Sequence, residues 1–191
     1  MTRNADGVPT EHHHPAPRRR APSLVLVNTG DGKGKSTAAF GTALRAVARG
    51  WNVVVVQFLK SGKWHVGEEK VCRELGVEWC SIGEGFTWDS EDLSEDQAVA
   101  AEAWRRAAEL IAAGDHHLVV LDEVTYPIAW GWIGRDDVLR AIAARPEHVN
   151  IVCTGRDAPA ELIDLADTVT EMRNVKHAYD RGVIAKKGID Y

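Results

Sequence analysis

The sequence predicts an α/β protein, a doubly wound and mostly parallel sheet of about six strands flanked by helices. Three observations lead there. Apolar runs rich in Val and Ile recur at 24–28, 52–58, 77–82, 117–122, 149–153 and 167–172, and helical periodicity lies between them at 35–49, 66–75, 91–113, 136–144 and 158–165. Val53-Val54-Val55-Val56 and Leu118-Val119-Val120-Leu121 are unbroken in apolar residues, the pattern of strands buried on both faces of a parallel sheet. The first run also passes through a glycine-rich turn directly into a helical pattern. Strand–helix alternation with right-handed crossovers places ligands at the carboxyl ends of the strands.

Length and composition bound the rest. The 191 residues suit one domain, since a chain of about 150 residues already buries roughly 70% of its unfolded surface. Residues 1–22 are expected to form a disordered tail: they hold His12-His13-His14, Arg18-Arg19-Arg20 and several prolines, but almost no large apolar side chains. The domain is then 23–191. A net charge of −5 gives no electrostatic case for nucleic acid. Cys72, Cys80 and Cys153 are odd in number and lack CxxC spacing, so reduced thiols are expected rather than a disulfide framework or zinc site. No stretch approaches the roughly 18 apolar residues of a membrane span, and the N-terminus lacks the apolar segment of a signal peptide. A cytoplasmic protein without a membrane partner is the expectation.

Taken in chain order, the elements place the chemistry. The strand at 24–28 feeds Thr29-Gly30-Asp31-Gly32-Lys33-Gly34-Lys35-Ser36, and the helix at 35–49 begins with Lys35-Ser36-Thr37. This is the layout of a phosphate-binding loop, and with it the fold reads as P-loop NTPase-like. Glycines let backbone N–H groups converge on phosphate oxygens, and the helix N-terminus adds partial positive charge. Lys35 reaches the terminal phosphates, and the Ser36 hydroxyl can ligate Mg²⁺. Thr29 stands where G-x-x-x-x-G-K-[ST] has its leading glycine. Lys33 is either solvated or a second cation for three phosphates. Arg49 suits the helix C-terminus, and Arg45 could serve either the helix or the nucleotide.

The strand at 77–82 leads into Gly83-Glu84-Gly85-Phe86-Thr87-Trp88-Asp89. Its two aromatics are either a lid over a flat ligand or an anchor docking the loop onto the helix at 91–113. The strand at 117–122 ends in Asp122-Glu123, the pattern of a Walker B element. It is expected to lie beside the strand that feeds the loop, so that an acid at its end holds Mg²⁺ directly or through water. Five tryptophans (51, 64, 79, 130 and 132) default to core or interface packing, and the histidines show no metal-ligand or catalytic spacing. Residues 173–191 carry no strong period and are expected to wrap on the domain.

With these residues assembled, the chain from Leu24 to Tyr191 resembles the P-loop-type corrinoid adenosyltransferases, the ATP:cob(I)alamin adenosyltransferase family. The resemblance is carried by T-G-x-G-K-G-K-[ST]-T-A-A-F-G-T-A at Thr29 to Ala43, G-F-T-W at Gly85 to Trp88, and V-V-L-D-E-x-T-Y at Val119 to Tyr126. T-G-R at Thr154 to Arg156 and the closing V-K-H-A-Y-D…G-I-D-Y add to it. Departures are Asp31 where Asn is frequent and Ser36 where Thr is frequent. The resemblance implies transfer of the 5′-deoxyadenosyl group of ATP to the Co(I) of a reduced corrinoid such as cobalamin, releasing triphosphate. It implies nucleotide contacts over Thr29 to Thr37, and Mg²⁺ (Mn²⁺ as a substitute) at Ser36, Asp122 and Glu123. Phe86 and Trp88 would displace the lower axial ligand of cobalt. A homodimer and an electron donor such as a flavoprotein are implied as well. Two other readings of the loop are a small-molecule kinase and a non-catalytic, nucleotide-dependent corrinoid carrier.

Overall fold

The computed structural model of the chain describes residues 17–59, 67–81 and 93–190, with the backbone alone at 93–95. The elements run β1 (Val25–Thr29), α1 (Lys35–Val47), β2 (Val53–Gln57), α2 (Gly67–Glu74), β3 (Glu78–Ser81) and α3 (Leu93–Ala113). They continue β4 (Leu118–Asp122), α4 (Thr125–Ala129), α5 (Arg135–Ala143), β5 (Asn150–Thr154), α6 (Ala160–Leu165) and β6 (Thr168–Glu171), followed by one 3₁₀ turn at Tyr179–Arg181. All six strands form one sheet in the order β3-β2-β4-β5-β1-β6, and every pairing is parallel. The fold is the P-loop NTPase type that the strand–loop–helix start implied.

The sheet separates two apolar layers, as strand alternation requires. Val53 and Val55 face a layer with Phe40, Ala43 and Cys72, beneath α1 and α2. Val54 and Val56 face the other layer with Ala103, Ala107, Ile142 and Leu162, beneath α3, α5 and α6. Every residue of β2 and β4 is buried, which explains their unbroken apolar runs. The edge strand β6 is exposed throughout and carries Thr168 and Thr170 in alternation with Val169 and Glu171. Cys72, Cys80 and Cys153 are free thiols, and complete burial pushes the Cys153 thiol up to about 12.

Two features differ from the sequence expectation. The strand ending in Asp122-Glu123 does not lie beside the strand feeding the loop: β5 pairs with β4 on one side and with β1 on the other. Strand order is a long-range property that local apolar runs do not encode. The five-residue helix α4 has no counterpart in the sequence pattern, because a segment this short that contains Pro127 shows no helical period. Residues 17–22 are exposed. No helix among the described residues is long and apolar enough to cross a membrane.

Candidate functional site: a phosphate loop facing an acidic pair

The loop after β1 is shaped by close backbone packing. Gly30 has φ +90°, and a Cβ there would lie 2.6 Å from the Met172 carbonyl oxygen. A Cβ on Gly32 would lie 2.7 Å from the Arg173 backbone, and the Gly32 N–H donates to the Met172 carbonyl at 2.6 Å. Glycine is therefore required at 30 and 32 by the chain leaving β6, before any phosphate is considered. Thr29, at the position of the missing leading glycine, is buried, and its hydroxyl accepts the Ala158 N–H at 3.3 Å. It braces the loop from below.

At the loop's far end Gly34 caps α1 with φ 114° and no side-chain cap. The first-turn N–H groups of that 13-residue helix are thus not engaged by a cap, which is the anion-binding arrangement. The Lys35 ammonium arches back over the loop and donates to the carbonyls of Gly30 at 2.7 Å and Gly32 at 2.8 Å. Burial and then the nearby Arg156 lower its pKa from the ordinary value, against the pull of Asp31 and Glu123.

These residues line a cavity of about 500 Å³, within the range of small-molecule sites. One wall is the loop and helix start, from Asp31 to Thr37, and the facing wall carries Asp122, Glu123, Tyr126 and Arg156. A third wall comes from the C-terminal segment, including His177, Tyr179 and Asp190. Lys33 pairs with Asp190 at 2.5 Å, tying that segment to the loop. Asp31 is exposed and stands 4.0 Å from the Arg156 guanidinium.

Asp122 is buried and held at both oxygens: Thr154 Oγ1 donates to Oδ1 at 2.8 Å and Gln57 Nε2 donates to Oδ2 at 2.9 Å. The next residue, Glu123, has φ 64°, a left-handed conformation uncommon for a non-glycine residue and often found at functional sites. Its N–H donates to the same Thr154 hydroxyl at 2.9 Å. Asp122 reaches the cavity even though β5 separates β4 from β1, because all three strands end at the same edge of the sheet.

Of the residues singled out from sequence, Asp31, Gly32, Lys33, Gly34, Lys35, Ser36, Thr37, Asp122 and Glu123 are brought together in this cavity, whereas Thr29 and Gly30 are not among its described lining residues. Arg45 is exposed in the last turn of α1, about 15 Å along the helix from Lys35 at 1.5 Å per residue, and does not line the cavity. Phe86 and Trp88 lie outside the described residues. Sequence reasoning assigned no role to Arg156, Tyr126 or the C-terminal wall. Arg156 could have been found from its place just past a strand's carboxyl end, where α/β sheets bind ligands.

Comparison with known proteins agrees with this geometry. The ATP:corrinoid adenosyltransferase BtuR/CobO/CobP family matches residues 21–191. Corrinoid adenosyltransferase CobA of Salmonella typhimurium is 46% identical over 168 residues, covering 88% of this chain and 85% of that protein. The corrinoid adenosyltransferase of Pseudomonas aeruginosa is 46% identical over 170 residues, covering 88% and 83%. In architecture the chain is similar to the flagellar accessory protein FlaH of Methanocaldococcus jannaschii, with a TM-score of 0.52 at 14% identity over 79% of this chain and 71% of that one. That likeness speaks to the fold alone. By its loop, its acidic pair and these matches, the chain belongs to the ATP:corrinoid adenosyltransferase family.

Proposed function

We propose that this chain transfers the 5′-deoxyadenosyl group of ATP to the Co(I) of a reduced corrinoid and releases triphosphate. The observation that carries the reading is the family match over residues 21–191, with the family's loop motif facing Asp122 and Glu123 across one cavity. In the proposed reaction the Co(I) electron pair attacks the 5′ carbon. The cobalt–carbon bond forms as the carbon–oxygen bond breaks, and the electrons of that bond leave on triphosphate. Because cobalt is the nucleophile, no side-chain nucleophile or general base is required.

The chain's own residues then have binding and electrostatic tasks. The N–H groups of the loop and of the first turn of α1 hold the polyphosphate. Lys35 exchanges its two loop carbonyls for phosphate oxygens, and Lys33 exchanges Asp190 for them. Both cations stabilise the charge that grows on the leaving group.

A divalent cation fits the donor set. Among the described lining residues, Lys33, Lys35 and Arg156 face six carboxylates, an excess of negative charge that a polyphosphate with roughly four charges of its own would only increase. The Ser36 hydroxyl and the Asp122 and Glu123 carboxylates are hard oxygen donors suited to Mg²⁺, which commonly shares its ligands with a substrate phosphate, and Mn²⁺ is an allowed substitute. Bound there, the ion would neutralise charge on the departing triphosphate.

Further parts of the reading are that Phe86 and Trp88 displace the lower axial ligand of the corrinoid, easing reduction to Co(I), and that a flavoprotein-type donor supplies the electron. The working form is proposed to be a cytoplasmic homodimer, with 23–191 as a single catalytic domain and 1–22 as a tail.

The test is a multiple-turnover assay with cob(I)alamin, ATP and Mg²⁺, following the spectrum of the cobalt–carbon product. Wild type is expected to turn over repeatedly, while Lys35→Ala loses ATP binding and turnover together. A single stoichiometric binding event without product would make the chain a carrier, and near-wild-type turnover by Lys35→Ala would overturn the loop assignment.

A further inference from the structure

We propose that Thr154 is the positioning residue for the acidic pair, and that through Asp122 and Glu123 it sets how tightly the site holds its divalent cation. The proposal rests on the nucleotide-binding part of the reading above. Thr154 is the last residue of β5, fully buried between the strand that carries the acids and the strand that feeds the loop. A hydroxyl has one proton to give and two lone pairs to offer. Here the proton goes to Asp122 Oδ1, and a lone pair receives the Glu123 N–H. One oxygen atom thus orients the carboxylate of one residue and the backbone of the next.

The surroundings show what this contact does. The regular β4–β5 register ends at Leu121 and Cys153. Beyond it the Glu123 N–H finds a side-chain hydroxyl instead of a ladder carbonyl, and this allows the chain to turn out of the sheet into its left-handed conformation. The other Asp122 oxygen is held from the opposite neighbour, β2, by Gln57 Nε2. Gln57 is fully buried and its own Oε1 has no hydrogen-bond partner among the described residues. Turning the amide over would place that oxygen against the Asp122 carboxylate, so the amide keeps its orientation for the sake of Asp122. The carboxylate is therefore clamped from both adjacent strands.

Thr154 is itself rigidly backed. The Gly155 N–H donates to the Asn28 carbonyl at 3.2 Å. Gly155, at φ +137°, leaves space that a Cβ would fill within 2.0 Å of Thr125 Oγ1, and that hydroxyl donates to the Arg156 carbonyl at 2.5 Å. A support this firmly seated can aim a ligand. Valine has the shape of threonine but would leave both Asp122 Oδ1 and the Glu123 N–H without this partner.

The experiment is calorimetric ATP binding to the full chain across a range of Mg²⁺ concentrations, without corrinoid. Thr154→Val is expected to raise the half-saturating Mg²⁺ concentration about 10- to 100-fold, the usual cost of losing a partner that orients a metal ligand, while Thr154→Ser stays within about threefold of wild type. ATP affinity at saturating Mg²⁺ should recover in the valine variant, whereas a general structural defect would weaken binding at every Mg²⁺ concentration alike. If the valine variant fails to fold, Thr154→Ala is measured in the same way. An unchanged Mg²⁺ requirement in the folded variant, failure of serine to restore it, or ATP binding to wild type that is indifferent to Mg²⁺ overturns the proposal alone. A wild-type chain that binds no ATP under any condition overturns the nucleotide reading and this proposal with it.

Discussion

Replacing Gly30 by alanine tests whether the loop is held by the chain that leaves β6. Gly30 has φ +90°, and its added Cβ would sit 2.6 Å from the Met172 carbonyl oxygen and 2.9 Å from both the Met172 nitrogen and Glu171 Cγ. Met172 cannot easily withdraw. Its N–H donates to the Thr29 carbonyl at 2.8 Å, and its carbonyl accepts the Gly32 N–H at 2.6 Å, so relieving the clash breaks the bonds that shape the loop. A left-handed alanine costs about 1–2 kcal/mol and overpacking about 1–3 kcal/mol, which together give a loss of about 2–5 kcal/mol. At about 2–4 °C per kcal/mol for a chain of this size, Tm should fall by roughly 4–20 °C.

Gly41, inside α1 with nothing among the described residues within 4 Å of an added Cβ, supplies the opposite sign: Gly41→Ala should stabilise by about 0.5–1 kcal/mol. Thermal melts by far-UV circular dichroism without nucleotide measure both. A Gly30→Ala melt within about 2 °C of wild type, or a loss in Gly41→Ala as large as that in Gly30→Ala, would refute the reasoning.

Two more outcomes are expected. Phe86→Ala combined with Trp88→Ala should sharply reduce product formed from cob(II)alamin with a reductant while sparing much of the rate with pre-reduced cob(I)alamin, and equal losses in the two assays would remove the proposed role in ligand displacement. The Lys186 backbone N–H and then Lys33 hold the Asp190 carboxyl below its ordinary value of 3.8. A depressed carboxyl pKa means that the stabilisation is complete above that ordinary value and is lost as pH falls through the lower, folded value. The Lys186 amide resonance should therefore titrate below pH 3.8 in wild type, and should show no such transition in Asp190→Asn.

Local pattern made most of the frame legible. All six strands fall within a residue of the apolar runs, most plainly β2 and β4, which are buried throughout and read as continuous Val and Leu up to their last residue. The phosphate loop is equally local, since its glycines, Lys35 and Ser36 follow one another in the chain. What stayed hidden depends on distance along the chain. The insertion of β5 between β4 and β1 changes how Asp122 is supported without altering any local run. The third wall of the cavity comes from 174–190, where no period marks an element, and its tie to the loop joins Asp190 to Lys33 from opposite ends of the chain. Arg45 shows the converse: closeness in sequence to the loop suggested the site, but the helix carries it away at 1.5 Å per residue.

The loop is expected to release the polyphosphate whole when cobalt takes the adenosyl group. Phosphorus NMR of the products of a single turnover with cob(I)alamin, ATP and Mg²⁺ tests this most directly. Triphosphate equal in amount to the new cobalt–carbon bond is the expected result. Diphosphate with phosphate at the moment of bond formation, or ADP at any stage, would contradict it.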